Sequence, residues 1–263
     1  MKKFLALLLV FSMVFCFAAC GEKKNSIVVG YTIYEPMNYK DANGELVGFD
    51  TELAKAVFAN LGYDDVIFKE IEWSDKYTEL EAGSIDCIWN GFTANVADED
   101  DGIQRSEKVD FSYNYMENLQ VVVVKKGSGI ASAADLNGKF GCAESGSAGE
   151  TYANGFEAAE IKGLPRQTDC LTEVNGKTRD FAVLDAQLAK AYVGKGDYAN
   201  LEIVEGLSSD VEYYAIGFKK GSDLTAKVNE QLEALAKDGT LKTLADKYGV
   251  GNSVVTDFAD QKK

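Results

Sequence analysis

Short apolar segments alternate with amphipathic helical segments through the first ninety residues, and this alternation most narrows the folds open to the chain. The apolar segments lie at 27–31, 66–71 and 85–89. A helical segment between the first two places Leu53, Val57 and Leu61 on one face and ends at a glycine; a second begins near Ser74 and also ends at a glycine. This strand–helix–strand alternation predicts a parallel sheet flanked by helices.

The residues after the third apolar segment carry groups suited to a carboxylate. Strand 85–89 ends in Asn90 and Gly91, so the chain can leave the sheet with backbone amides exposed beside the Thr93 hydroxyl. Arg105 adds a planar fork of donors that can hold a carboxylate through two hydrogen bonds. We therefore expect 83–115 to contribute to a site for a small acid.

The alternation restarts after residue 124, which predicts a second lobe. Strand 140–143 leads through the glycine-rich stretch 146–149 into a helix from Glu150, and strand 181–184 ends at Asp185 before helix 186–192. A helix with four apolar residues on one stripe is expected from about 224, opened by a cap, and a last one at 240–248. Extended stretches at 119–124 and 213–218 are the predicted crossings between lobes. Lobe one is predicted at 26–124 and 218–250, lobe two at 125–217, and a C-terminal tail at 251–263.

The composition excludes several classes of function. The chain has 27 Lys and Arg against 42 Asp and Glu, so nucleic acid is not an expected partner. It has no histidine, which excludes Ser-His-Asp and Cys-His catalysis and removes the commonest zinc ligand. Cys87, Cys142 and Cys170 lie in no Cys-x-x-Cys pair, so we expect buried thiols, although one disulfide between two of them is possible. No metal and no cofactor is expected.

The first twenty residues are typical of a secretory signal. Lys2 and Lys3 precede an apolar run that is too short to span a membrane, and small residues precede Cys20. This ending is similar to a bacterial lipoprotein box, which implies lipidation of Cys20, with 21–25 as a tether. The alternative is ordinary cleavage and a secreted protein.

A set of short motifs covers nearly the whole chain after the signal. They are Gly48-Phe49-Asp50, Gly83-x-Ile85-Asp86, Asn90-Gly91-Phe92-Thr93, Val109-Asp110-Phe111-Ser112, Gly146-Ser147-Ala148-Gly149-Glu150, Val183-x-Asp185 and Tyr214-Ala215-Ile216-Gly217-Phe218. Together they resemble the amino-acid-binding proteins of polar amino-acid ABC transporters, family three of the solute receptors. The resemblance implies a type II periplasmic-binding-protein fold of class α/β: two lobes, each a mixed sheet flanked by helices, joined by two hinge strands.

The resemblance also implies a function and a site. A monomer, anchored outside the cytoplasm, would capture a free amino acid, neutral or polar, between its lobes and present it to a membrane permease. Arg105, Thr93 and Ser147 would hold the α-carboxylate, while Asp185, with the carbonyl of Gly91 or Asn90, would accept from the α-ammonium. The implied side-chain pocket is formed by Tyr34, Trp73 and Glu144.

Several of these residues also have structural interpretations. Asp185 and Ser147 could cap the helices that follow them, and Glu144 could favour a helix start through its charge. Tyr34 and Trp73 could be core aromatics; Trp89 and Phe92 are expected to pack within their lobe. Asp50 and Asp86 are predicted to be a helix cap and a turn-locking carboxylate.

The position of Arg105 depends on an inserted loop. In relatives the arginine follows the threonine closely, whereas here the acidic loop 96–104 intervenes. We expect the loop to close at its ends and leave Arg105 in the cleft, at little cost in free energy. The acidic run 98–101 is expected to be solvated; calcium binding is the weaker alternative.

The sequence is also compatible with two other functions. An enzyme on the same fold, such as an amino-acid or prephenate-type dehydratase, would use Glu144 or Asp185 as acid or base, and the lack of histidine argues weakly against it. A sensory or adhesive module would keep the fold without transport.

Overall fold

The computed structural model describes residues 25–98 and 100–262. The predicted signal, Cys20 and all but the last residue of the tether lie outside the described residues. Within these ranges, no helix has both the length and the apolar character needed to cross a bilayer.

Fourteen strands are described. They are β1 Ser26–Tyr31, β2 Tyr39–Lys40, β3 Leu46–Val47, β4 Asp65–Glu70, β5 Cys87–Ile88, β6 Asp110–Phe111, β7 Met116–Asn118, β8 Gln120–Lys125, β9 Phe140–Glu144, β10 Glu160–Leu164, β11 Phe181–Asp185, β12 Leu201–Ser208, β13 Glu212–Tyr214 and β14 Gly217–Phe218.

Eight α-helices accompany these strands in the described ranges. They are α1 Phe49–Asn60, α2 Lys76–Glu81, α3 Arg105–Lys108, α4 Ala148–Asn154, α5 Gln167–Asn175, α6 Ala186–Tyr192, α7 Leu224–Lys237 and α8 Thr240–Lys247. Short 3-10 turns lie at Trp73–Asp75, Ala133–Leu136, Gly196–Tyr198 and Ala259–Gln261.

The strands form two five-stranded mixed sheets, one in each lobe. The first has the order β4-β1-β5-β14-β6, with β14 antiparallel to its neighbours, and the second has the order β10-β9-β11-β8-β12, with β8 antiparallel. Strand β1 runs parallel to β4, with Ile27 beside Val66. The predicted two-lobed α/β fold with mixed sheets is confirmed.

One predicted crossing is wrong. Residues 119–124 were expected to join the lobes, but β8 is an internal strand of the second sheet and Val121 to Val124 are all buried. A run of valines buried on both faces is typical of an internal strand. The lobes are joined just before it, where β7 pairs with β13 in a two-stranded antiparallel ribbon. The other lobe limits stay predictions.

The C-terminal segment packs against this junction. Val254 forms a bridge with Met116, and the buried Phe258 stacks on Tyr113 with ring centroids 5.5 Å apart.

Sequence patterns predicted most helices well but their caps less well. Helix α7 buries Val228, Leu232 and Leu235 as expected, yet Asp223 forms an ion pair with Lys227 and makes no capping hydrogen bond. The predicted cap role of Asp50 is also wrong, because α1 follows Gly48 without a side-chain cap. Strand β10, helix α5 and strand β12 were missed.

Asp50 instead ties lobe one together over long distances in sequence. Its Oδ2 accepts hydrogen bonds from the Gly91 amide at 2.8 Å and the Tyr115 hydroxyl at 2.9 Å. Burial raises the pKa of Asp50 to about 7. Asp86 has a related structural role, since its Oδ2 accepts from the Val28 amide at 2.7 Å and so fastens the approach to β5 onto β1.

A side chain at Gly48, the residue before α1, should destabilise the fold. Its φ of 127° and ψ of 167° suit glycine almost alone, and a Cβ there would overlap the Met37 carbonyl oxygen. We expect Gly48→Ala to lower the free energy of unfolding, measured by urea denaturation, by about 3 kcal/mol or more. The control is Gly44→Ala, which also has positive φ but open space around it, and should cost about 1 kcal/mol. Equal losses would contradict the steric argument.

Candidate functional site

Eleven residues from the two lobes line a narrow cavity of about 10 Å³. They are Tyr34, Trp73, Asn90, Gly91, Thr93 and Arg105 from lobe one and Glu144, Ser147, Ala148, Gln167 and Asp185 from lobe two. The nine predicted site residues are all among them, so the fold brings them together; their roles in binding stay predictions. A wider depression beside α7 lies open on the surface.

Hydrogen bonds of the Asn90 side chain fix the loop after β5. The Asn90 amide group donates to Asn38 Oδ1 at 2.7 Å and to the Thr32 carbonyl at 2.9 Å, and its oxygen accepts from the Thr32 hydroxyl at 2.7 Å. The polar atoms of the Asn90 side chain are therefore used in hydrogen bonds to Asn38 and Thr32. The backbone of Asn90 is the part of this residue that is available to a ligand. Gly91 has φ of 59°, and a Cβ there would lie 2.7 Å from the Tyr34 ring.

The backbone amides of this loop are only partly free. The Gly91 amide donates to Asp50, so the expectation of exposed amides fails at that residue. The Thr93 amide donates to no acceptor within 25–98 and 100–262. Thr93 is thus the residue of the loop that can offer both an N–H and a hydroxyl to a carboxylate.

Arg105 reaches the cavity as predicted. Its side chain is 1% exposed, Nε donates to Asp98 at 2.7 Å, and the two terminal nitrogens donate to the carbonyls of Thr93 and Gly146, both at 3.1 Å. The guanidinium lies over the Phe92 ring, 5.2 Å from its centroid. Because a guanidinium has five N–H groups, two remain for another acceptor.

The inserted loop supports this arginine. A bridge between Ala97 and Gln104 closes its ends, as expected. The expectation of a fully solvated acidic run is wrong for Asp98, which is buried and binds both Arg105 and Lys108. Burial alone would raise the pKa of Asp98, but the charge of Arg105 and the hydrogen bond from Lys108 lower it to about 2. Within the described ranges, no group of three His, Cys, Asp or Glu could hold a metal ion.

Ser147 begins α4 and lines the cavity at the same time. Its Oγ accepts from the Glu150 amide at 3.0 Å, so its interpretation as a helix cap is confirmed; the helix starts at Ala148, two residues earlier than predicted. The neighbouring Gly146 carbonyl receives Arg105 from lobe one and also Lys76, whose ammonium is 2.9 Å away. Burial first, and the charge of nearby Arg105 second, lower the pKa of Lys76 to about 7.

Asp185 does not cap α6; its side chain makes no hydrogen bond to the helix start. Its Oδ1 accepts from the amide groups of Asn118 at 2.7 Å and Gln120 at 2.6 Å, and its Oδ2 accepts from Gln167. Burial raises the pKa of Asp185 above the usual range. The carboxylate therefore has three amide donors and, within the described residues, no ion pair.

Glu144 is the second acid of the cavity. It ends β9, is buried, and forms no ion pair within the described residues. Burial, and then the charge of Asp185, raise the pKa of Glu144 to about 8. The charge of Lys76 and a hydrogen bond from Gln167 oppose this rise in pKa but do not cancel it.

The aromatic residues divide as expected between cavity and core. Tyr34 and Trp73 line the cavity. Behind them, Tyr34 shares a 2.7 Å hydrogen bond with the Tyr214 hydroxyl, and Trp73 packs edge-on against Phe92 with centroids 5.3 Å apart. Trp89 and Phe92 are fully buried within lobe one.

Sequence reasoning missed residues that carry no distinctive chemical signal. Gln167 and Ala148 line the cavity, Asn118 and Gln120 donate to Asp185, and Lys76 donates to the Gly146 carbonyl. The apolar spacing of Cys170, Leu171 and Val174 could have revealed α5 and so directed attention to its first residue, Gln167. The three cysteines are buried free thiols, as favoured.

Comparison with known proteins identifies the family. The family model of the bacterial extracellular solute-binding proteins, family 3, matches residues 27–251. The chain belongs to this family. It is 29% identical over 265 residues to the arginine-binding extracellular protein ArtP of Bacillus subtilis, covering 95% of this chain and 99% of that protein. It is 28% identical over 272 residues to the L-cystine-binding protein TcyA of Bacillus subtilis, covering 94% and 97%.

Solved structures of the family agree with the fold described above. The structure of an ABC uptake transporter substrate-binding protein from Streptococcus pneumoniae with bound histidine is 32% identical, with a TM-score of 0.76, and the match covers 86% of this chain and 92% of that one. The fold is the type II periplasmic-binding-protein fold. Family members are binding proteins, and the dehydratase hypothesis is set aside.

Glu144 should make stability depend on pH. Its pKa is raised from 4.5 to about 8, so the folded state binds more protons than the unfolded chain in this interval, and stability from this group is lost as pH rises. Between pH 5 and 7 we expect the free energy of unfolding of the ligand-free protein to fall by roughly 2 kcal/mol more than that of Glu144→Gln. Urea denaturation at each pH measures this difference.

The control is Glu202→Gln, which removes an exposed glutamate from β12. It should retain the wild-type pH slope. If the free energy of unfolding of Glu144→Gln had the wild-type pH slope, the Glu144 carboxyl would have the same pKa in the folded and unfolded protein, and the prediction would be wrong.

Proposed function

We propose that this protein is an extracytoplasmic receptor that captures one free amino acid between its lobes and delivers it to an ABC permease. The observation that carries the proposal is the arrangement of charge in the cavity: the Arg105 fork lies on lobe one and the Asp185 carboxylate on lobe two. An α-amino acid carries one group of each sign on the same carbon atom, and it matches this pair. The amino-acid-binding relatives support the same reading.

The α-carboxylate is assigned to Arg105, Thr93 and Ser147. Arg105 retains two N–H groups, and its donation to the Thr93 carbonyl holds it beside Thr93, which also lines the cavity. The Ser147 hydroxyl accepts its cap hydrogen bond and can still donate its proton to a carboxylate. Charge-assisted hydrogen bonds of this kind are about twice as strong as neutral ones.

The α-ammonium is assigned to Asp185, with a backbone carbonyl of Asn90 or Gly91 as a further acceptor. Asp185 holds a buried negative charge that no cation pairs with in the described part of the chain. An ammonium supplied by the ligand would neutralise it, which makes capture of the ligand favourable despite the desolvation of both charges.

The side chain of the ligand is assigned to the space between Tyr34, Trp73 and Glu144. The aromatic rings suit the aliphatic or planar part of a polar side chain. Glu144 favours a side chain that donates hydrogen bonds, as a neutral amide or a cation does. The relatives named for arginine, histidine and L-cystine have side chains of different charge; our proposal is a polar amino acid, neutral or cationic.

The location is proposed from the sequence. The family is extracellular, and the signal-like first twenty residues end at Cys20. We propose that Cys20 is lipidated and holds the receptor at the outer face of the cell membrane, close to its permease. Two or more acyl chains anchor a protein stably.

Binding should be detected by a thermal-shift panel of the free amino acids, including L-arginine, L-histidine, L-glutamine and L-cystine, followed by calorimetry. A ligand that binds only the folded state raises the melting temperature. Asp185→Asn should weaken binding of the best amino acid by about 2 to 5 kcal/mol, and Arg105→Lys by tenfold or more, since lysine lacks the planar fork.

The matched control variants make the same two substitutions at ion pairs outside the cavity. Asp223→Asn breaks an exposed ion pair with Lys227, and Arg179→Lys alters an ion pair with Glu160; neither should change affinity. No heat with any amino acid would favour a sensory module without transport. Full affinity in Asp185→Asn would refute the assigned ammonium site.

Lipidation should be visible in the cell. Wild-type protein should fractionate with membranes and incorporate an alkyne-tagged fatty acid, whereas Cys20→Ala should do neither. A matched Cys87→Ala variant, which removes a buried thiol, should remain in the membrane fraction. Release of the wild type into the medium without label would support a simple secreted protein.

A further inference from the structure

A second buried carboxylate lies directly behind Asp185. Glu212, on strand β13 of the lobe junction, is 3% exposed, and Asp185 is 7% exposed. Asn118 Nδ2 donates to Oδ1 of Asp185 and to Oε1 of Glu212, and Gln120 Nε2 donates to the same two oxygens. The four N···O distances lie between 2.5 and 2.7 Å.

This arrangement brings two like charges together without a cation. Asn118 and Gln120 each use both hydrogens of one amide group on the two carboxylates, so the acids are two hydrogen bonds apart by either route. Amide groups orient the oxygens but carry no charge. Within the described residues, neither acid forms an ion pair, and two close buried carboxylates cannot both ionise without a large electrostatic cost.

We propose that Asp185 and Glu212 form a pair that holds one shared proton in the empty receptor, and that the α-ammonium of an amino acid expels this proton when it binds. The inference rests on the proposed role of Asp185 in amino-acid binding. Glu212 does not line the cavity, so it acts through Asn118 and Gln120 as a positioning residue. The proton leaves a carboxyl oxygen for solvent, while the ammonium keeps its own protons.

The surroundings of the pair favour a bound proton. The hydroxyls of Tyr34 and Tyr214 face Asp185 and Glu212, and the other acids within electrostatic reach of this cluster are Glu144 and Asp50. Lys76 is the cation that faces Glu144 across the cavity. Burial first, and the charge of Asp185 second, raise the pKa of Glu212 to about 7, and burial raises the pKa of Asp185.

The pair also connects the cavity with the junction of the lobes. Glu212 and Asn118 lie opposite each other on β13 and β7, the two strands that join the lobes, and Asp185 ends β11 of lobe two. A change of charge at Asp185 therefore acts directly on Asn118, a side chain of the junction. This contact gives the ammonium site a direct physical link to the segments about which the lobes move.

The test is isothermal titration calorimetry of the full chain with L-arginine and L-glutamine, whose side chains do not titrate near pH 6.5. Titrations in phosphate, MES and imidazole at pH 6.5 give the number of protons released, from the slope of heat against buffer ionisation enthalpy. If another amino acid is the best binder of the thermal-shift panel, it replaces these two. We expect release of roughly half a proton or more, and a Kd that decreases by up to about tenfold for each unit by which pH rises toward 7.

Glu212→Gln should remove most of this proton release and flatten the pH dependence of Kd, because a glutamine holds no titratable proton. Glu144, Asp50 and Lys76 also titrate near neutral pH, but they remain in both proteins, so the difference between wild type and variant reports the pair. Glu202→Gln, on exposed β12, should behave as wild type. A purely structural role of Glu212 would change Kd equally at every pH.

The outcomes separate the two proposals. Binding without proton release in the wild type would overturn the shared proton, whether or not Glu212→Gln folds. Equal proton release in wild type and Glu212→Gln would assign the proton elsewhere and overturn it too. No binding of any amino acid in any buffer would instead overturn the proposed function, and the ammonium-driven step with it.

Discussion

The cleft is organised by the need to bury charged groups without leaving them unpaired. On lobe one, Arg105 is neutralised by Asp98 from the inserted loop, and Lys76 donates to a backbone carbonyl. On lobe two and the junction, Asp185 and Glu212 receive hydrogen bonds from side-chain amides, and neither these acids nor Glu144 forms an ion pair in the described ranges. The cations Arg105 and Lys76 therefore have acceptors within the protein, whereas Asp185 and Glu212 have no cation paired with them in the described residues. In the proposed binding mode, an amino acid brings its ammonium to the side where positive charge is missing.

The topology explains why these groups converge. Asn90 follows β5, Glu144 ends β9 and Asp185 ends β11, so each acts from the carboxyl end of a strand. In sheets that are mainly parallel, these ends lie along one edge, and helices begin beside them with free amides and capping side chains such as Ser147. Two such edges, one in each lobe, face each other across the cavity. Residues separated by about a hundred positions in sequence become neighbours for this reason alone.

Sequence patterns predicted the parts of the site that depend on local structure and could not predict those that depend on partners. Strand ends are local signals that placed Asn90 to Thr93, and the family resemblance added Glu144, Ser147 and Asp185 to the predicted site. Asp50 has the sequence signal of a helix cap, but its partners, Gly91 and Tyr115, come from distant segments. Asp98 resembles a solvated loop acid until Arg105 and Lys108 are placed beside it. Asn118, Gln120 and Gln167 are neutral amides that are common on surfaces, so only the folded structure reveals that they surround a carboxylate.

The same distribution of charge links ligand capture to closure of the lobes. The Gly146 carbonyl of lobe two receives Arg105 and Lys76 from lobe one, so the approach of the lobes is rewarded by two hydrogen bonds from cations. Burial of Asp185 and Glu212 opposes this gain, because within the described residues neither carboxyl group forms an ion pair. In the proposed binding mode, a ligand ammonium would reverse that unfavourable contribution only in a closed arrangement, where both lobes contact it. A ligand shifts a conformational equilibrium by its difference in affinity for the two states, and here that difference arises from the acids that the protein leaves without a cation.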